Sequence, residues 1–221
     1  MGLIKPSKFN KAGAYFIELL IVVVGVSIAF QLSVWNDAHK SRETENHLLQ
    51  NFIAENRLNR VDIDSTLANV LYNMEANPHL IELLKDPQPN MDSIRLNMSL
   101  LYSLVWPDIT STHLNSYLIF ESGTSPLKEE MLALKSYYVS VGELTNIYVE
   151  QKQVKYFDYL SDAVDMTDGL RVYKKEKLFN VQFRNNLLVI YYYELSLINT
   201  LEKIIASQQK VEDLIEIQLH K

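Results

Sequence analysis

The chain has 221 residues, with 21 Lys+Arg against 27 Asp+Glu and a formal net charge of −6. The absence of cysteine excludes disulfides, zinc-thiolate sites, iron–sulfur clusters and thiol catalysis, and the six glycines fit neither a dinucleotide-binding nor a P-loop pattern. The acidic balance argues against a nucleic-acid partner.

Residues 1–11 contain Lys5, Lys8 and Lys11 and no acid, and read as a basic cytoplasmic N-terminus. Residues 12–35 form a nearly uniform apolar run interrupted by Glu18. As a helix this run is about 36 Å long, enough to cross a hydrocarbon core of about 30 Å with some tilt. Tyr15 and Trp35 lie near its two ends, where amphipathic rings favour the headgroup zone, and are expected to be interface anchors. Apolarity continues past Ser27-Ile28-Ala29 through Phe30, Leu32, Val34 and Trp35, which favours a retained span over a cleaved signal peptide. The lysine bias places the N-terminus on the inner side of the membrane and residues 36–221 on the outer side. Setting aside residues 1–36 leaves 18 basic and 26 acidic residues, the balance of a water-soluble domain.

Within the span Glu18 is expensive and therefore informative. Gly25 and Ala29 follow at seven and eleven residues, so helical geometry returns both to within about 20° of the acid. A carboxyl sharing a face with Gly-x-x-x-Ala is the expected site of intramembrane packing, against another membrane protein or a second copy of the chain.

Beyond Asp37 the apolar spacing is helical: Leu48, Leu49, Phe52, Ile53, then Leu67, Val70, Leu71, Met74. With neither Gly nor Pro between Val26 and Asn77, the span is expected to run directly into a long helix ending before Pro78. A short helix over His79–Lys85, closed by Pro87 and Pro89, and one starting at an Asp92 cap and reaching Leu104 come next. Another short helix is expected from Thr110 or Ser111 to about Phe120. Ser125-Pro126 starts a helix running to about Met166, with Gly142 as a weak point. Asp168-Gly169 is a turn, Arg171–Lys177 a loop, and Leu178–Leu219 the last helix, with Leu187, Ile190, Tyr191, Leu195, Ile198, Leu201, Ile205, Val211 and Leu214 near one stripe. The fold class is mainly α: one transmembrane helix continuing into a soluble bundle of long antiparallel helices.

His39, Glu43 and His47 approach one helix face, but each step drifts about 40° and no fourth ligand is in view, so they read as a solvated face rather than a metal site. The 13 tyrosines read as core packing with hydroxyls at the rim. No nucleophile motif, metal motif or cofactor loop occurs, so neither an enzyme nor a cofactor is expected.

The segment Glu18–Gln31, followed by Trp35-Asn36, resembles the start of a domain-of-unknown-function family of small single-span membrane proteins of Bacteroidota. Its members show Gly-Glu, an apolar run with Gly, Ala-Leu-Gln and Trp-Asn; here Ile17 replaces the glycine and Phe30 the leucine. Trp106-Pro107, Ser122-Gly123 and Tyr137-Tyr138 are similar to later family positions with altered spacing. The resemblance implies a membrane location and no particular mechanism. The expected role is an accessory or interaction subunit of a membrane complex. Alternatives are a ligand-sensing periplasmic bundle that signals through a partner and a stator- or channel-like subunit using Glu18.

Overall fold

The computed structural model describes residues 11–104 and 106–219; the lysines at 5 and 8 lie outside them. The chain is mainly α-helical and divides into two compact units, residues 1–47 and 48–221. Its elements are α1 (Lys11–Leu83), α2 (Met91–Leu100), α3 (Thr112–Phe120), α4 (Pro126–Lys152), β1 (Val164–Asp165), β2 (Arg171–Val172), α5 (Lys175–Leu178) and α6 (Val181–Leu219), with a π-helical segment over Gln153–Asp158.

The second unit is organised by three seams of one kind. On α1 the central seam runs through Leu49, Phe52, Asn56, Asn59, Ile63, Thr66, Val70, Asn73, Asn77 and Leu80, spaced alternately by three and four, with Glu55, Ala76 and Ile81 buried beside it. On α4 they are Leu127, Met131, Leu134, Tyr138, Val141, Thr145, Tyr148 and Lys152, in the same alternation. On α6 it runs unbroken from Phe183 through Leu187, Ile190, Glu194, Leu197, Leu201, Ile204, Gln208 and Val211 to Ile215. A 3,4 repeat averages 3.5 residues and keeps one seam facing its neighbours over many turns, the pattern of coiled-coil packing. Asn56 bonds Glu212 while Asn77 bonds Glu194, so α1 and α6 are antiparallel. Gln208 bonds Tyr138 and Tyr148 bonds Glu194, so α4 is antiparallel to α6 as well.

Several boundaries differ from the sequence expectation. The first helix does not end before Pro78; it continues to Leu83, and His79–Lys85 is not a separate helix. Proline removes one backbone hydrogen bond and crowds the preceding turn. Here buried Ala76 and Asn77 on one side and Leu80, Ile81 and Leu84 on the other hold both halves against the bundle. The cap of α2 is Asn90 rather than Asp92: its Oδ1 accepts from the Asp92 and Ser93 amides at 2.9 and 3.2 Å. That helix stops at Leu100, short of Leu104. Ser125 does cap α4, accepting from the Lys128 amide at 3.1 Å with Pro126 behind it.

The fourth helix does not run to Met166. It passes into the π-helical segment, where Tyr156 is fully buried and donates to the Met98 carbonyl at 2.6 Å. Tyr159 stacks on Phe183, ring centroids 5.5 Å apart. The segment after it is a small antiparallel hairpin, Val164 opposite Val172, and not a plain loop. The turn at Asp168-Gly169 stands, with Gly169 at φ +56° and Leu170 also in the left-handed region at +59°. The Leu170 side chain is buried, which offsets the cost of that conformation. On α6, Leu195 faces outward although it lies near the apolar stripe.

One tertiary cap ties α3 to α1. The Glu55 carboxylate accepts from the backbone amides of His113 at 2.9 Å and Leu114 at 3.2 Å, two of the orphan donors of the first turn of α3. Glu55→Ala is expected to lower the unfolding free energy by about 2–3 kcal/mol, the range for buried charge-assisted bonds. Glu55→Gln recovers part of the loss, because its single acceptor oxygen satisfies one amide. Urea titration of both variants checks the order.

Candidate functional site

Three arrangements carry chemistry. The first is the apolar face of the N-terminal part of α1. From Tyr15 to Trp35 every large apolar side chain is exposed, including Phe16 at 63% and Trp35 at 68%. This stretch is long and apolar enough to cross a membrane. Glu18, Gly25 and Ala29 lie exposed on one continuous helix, at the spacings that place them on a common face. A Cβ added at Gly25 meets nothing within 4 Å, so the space over the glycine, about two turns from Glu18, is open. Tyr15 and Trp35 are exposed near the ends of the apolar stretch, and Trp35 stacks on His39 at 5.7 Å. His39 pairs with Glu43 at 3.3 Å.

The second is a polar column inside the bundle. Glu194 and Lys152 are both 0% exposed. The Tyr148 hydroxyl joins them: it accepts from Lys152 Nζ at 2.8 Å and donates to Glu194 Oε1 at 3.2 Å. Asn77 Nδ2 donates to the other carboxylate oxygen at 2.9 Å. Burial brings the Lys152 ammonium down to about 8, partly opposed by the Glu194 charge. Burial also raises the Glu194 carboxyl, with Lys152, Asn77 and Tyr148 pulling the other way. The Tyr148 phenol is pushed up, first by burial and then by the Glu194 charge. About three turns away along α4, Tyr138 is the second node: its hydroxyl donates to Asn56 Oδ1 at 3.3 Å and accepts from Gln208 Nε2 at 3.0 Å.

This column also positions a loop. Lys152 Nζ donates to the Ser103 carbonyl at 2.7 Å, and Ser103 Oγ donates to Asn73 at 3.2 Å. Asn59 grips Thr110 from both sides, donating to its carbonyl at 2.7 Å and accepting from its amide at 3.0 Å. The segment carrying Trp106 and Asp108 is therefore fastened at both ends by buried side chains of the core.

The third arrangement is the hollow which that loop closes against α4. It measures about 420 Å³, with Trp106, Asp108, Tyr138, Gly142, Thr145 and Asn146 in its lining. The Thr145 hydroxyl is buried and has no hydrogen-bond partner among the described residues. A Cβ at Gly142 meets nothing within 4 Å, so the helix surface opens there.

The sequence pointed to Glu18, Gly25, Ala29, Tyr15 and Trp35, all of them in the first unit. It did not single out Lys152, Glu194, Tyr148 or the Asn73–Asn77 pair, because polar residues at seam positions are invisible to an apolar count. The signal that finds them is the unbroken 3,4 spacing, which requires positions 152 and 194 to face inward. The tyrosines differ from expectation too: Tyr117, Tyr148 and Tyr156 are wholly buried, and the hydroxyls of Tyr148 and Tyr156 bond within the core rather than at its rim. No protein-family model matches this chain, and neither a curated protein nor a solved structure does.

Proposed function

We propose that the chain is a single-pass inner-membrane protein whose helical domain lies on the periplasmic side and serves as an accessory or interaction subunit of a membrane complex. One observation carries this reading: every large apolar side chain from Tyr15 to Trp35 is exposed. Bare surface of that size demands lipid or protein as its solvent. The lysines at positions 5, 8 and 11 favour retention of the N-terminus on the inner side. The resemblance of Glu18–Asn36 to single-span membrane proteins supports the same location.

The Glu18, Gly25 and Ala29 face is the contact with the partner helix. A glycine with open space over it lets a second backbone approach, and the carboxyl finds a hydrogen-bond donor there that lipid does not offer. Gly25→Leu is expected to abolish recovery of the complex after mild detergent extraction while leaving the variant in the membrane. Unchanged co-purification would overturn the assignment. Glu18→Gln separates packing from ion coupling, since packing predicts loss of assembly and coupling predicts an assembled but inactive complex.

A further inference from the structure

We propose that the hollow between the Trp106 loop and α4 binds a small organic ammonium ion. Three features converge on that class. Trp106 lines the hollow, is 62% exposed, and has no aromatic partner among the described residues. Asp108 lines the same wall and takes part in no ion pair among the described residues. Among the described residues no Lys, Arg or His lines the hollow, so its electrostatics favour a cation.

An indole ring and a carboxylate lining one hollow suit an alkylammonium group, because the ring quadrupole attracts the charge and tolerates its apolar coat. Gly142 keeps the hollow open. The loop needs little ordering on binding, because Ser103 and Thr110 are already fastened to Lys152, Asn73 and Asn59.

A comparison within the molecule sharpens the choice. The hollow near the hairpin contains three carboxylates, but Asp162 is paired with Lys174 and Lys177, Asp165 accepts from Thr167, and Asp158 accepts from Gln153. Each of its carboxylates is engaged from within the chain, whereas Asp108 has no ion-pair partner among the described residues.

The test uses the full chain in dodecyl maltoside micelles with Trp35→Phe, which leaves Trp106 as the sole tryptophan. Choline is the probe, and 3,3-dimethyl-1-butanol is its uncharged isostere. Choline is expected to give a saturable change in Trp106 emission, with the isostere about tenfold weaker or worse. Asp108→Asn is expected to weaken choline by about tenfold. Gly142→Leu fills the hollow and abolishes the signal, while an unchanged melting temperature without ligand shows that the variant folds. The proposal is overturned if choline gives no saturable change at millimolar concentration, if the isostere binds equally well, or if Asp108→Asn leaves the affinity unaltered.

Discussion

Lys152→Met is expected to destabilise the helical unit by about 3–5 kcal/mol, the cost of leaving one member of a buried charged network unpaired. Glu194 then sits at 0% exposure with its ammonium partner gone, and the Ser103 carbonyl loses its donor. The double variant Lys152→Met with Glu194→Leu is expected to recover most of that loss, because neither buried charge then needs compensation. A double-mutant cycle by urea titration of the solubilised protein gives the coupling, and additive losses would show that the two groups act independently.

The same pair sets a pH dependence. The folded Lys152 titrates near 8, below its unfolded value of about 10.4. The unfolded chain therefore binds more protons across that interval, and stability from this group rises with pH by up to about 1.4 kcal/mol per unit. The raised Glu194 carboxyl acts in the opposite sense: it contributes stability on the acid side that is lost as pH rises through its folded value. Lys152→Met removes the alkaline rise, so subtracting its urea midpoints from those of the parent between pH 8 and about 10.4 isolates the lysine.

Deleting residues 11–36 is expected to move the protein almost completely from the membrane pellet to the alkaline carbonate supernatant. Thirteen exposed large aliphatic and phenylalanine side chains lie between Phe16 and Val34. On insertion scales they sum to about −4 to −8 kcal/mol. Glu18 opposes this by about 2.5–3.5 kcal/mol on the value for Asp, so the balance still favours the bilayer. The buried seam of the second unit begins at Leu49, beyond the deletion, so its melting temperature is expected to change little. Release of the intact, full-length chain by carbonate would contradict the anchored reading.

Legibility in the sequence followed the kind of signal each region carried. Ser125-Pro126 announced α4 because capping chemistry is local, complete within four residues. Ser111 preceded α3 as expected, yet it makes no side-chain cap bond; Glu55, 56 residues upstream, supplies the acceptor. Pro78 read as a stop because its backbone cost is local, while the burial that outweighs it comes from helices more than a hundred residues away. The hairpin at Val164–Val172 offers only two paired residues per strand, too short for any alternation to show.

What the residues determined by themselves was the helical class, the position of most long helices and the apolar stretch from Tyr15 to Trp35. Those depend on period, propensity and the preference of uninterrupted apolar side chains for a non-aqueous medium. What only the tertiary structure decided was the meaning of the polar residues in the seams. Asn59, Asn73, Tyr148, Lys152 and Glu194 are ordinary surface types in a linear reading. Three helices packed in a common 3,4 register force them inward, and once water is excluded each must find its partner in the neighbouring helix or in the loop that carries Trp106.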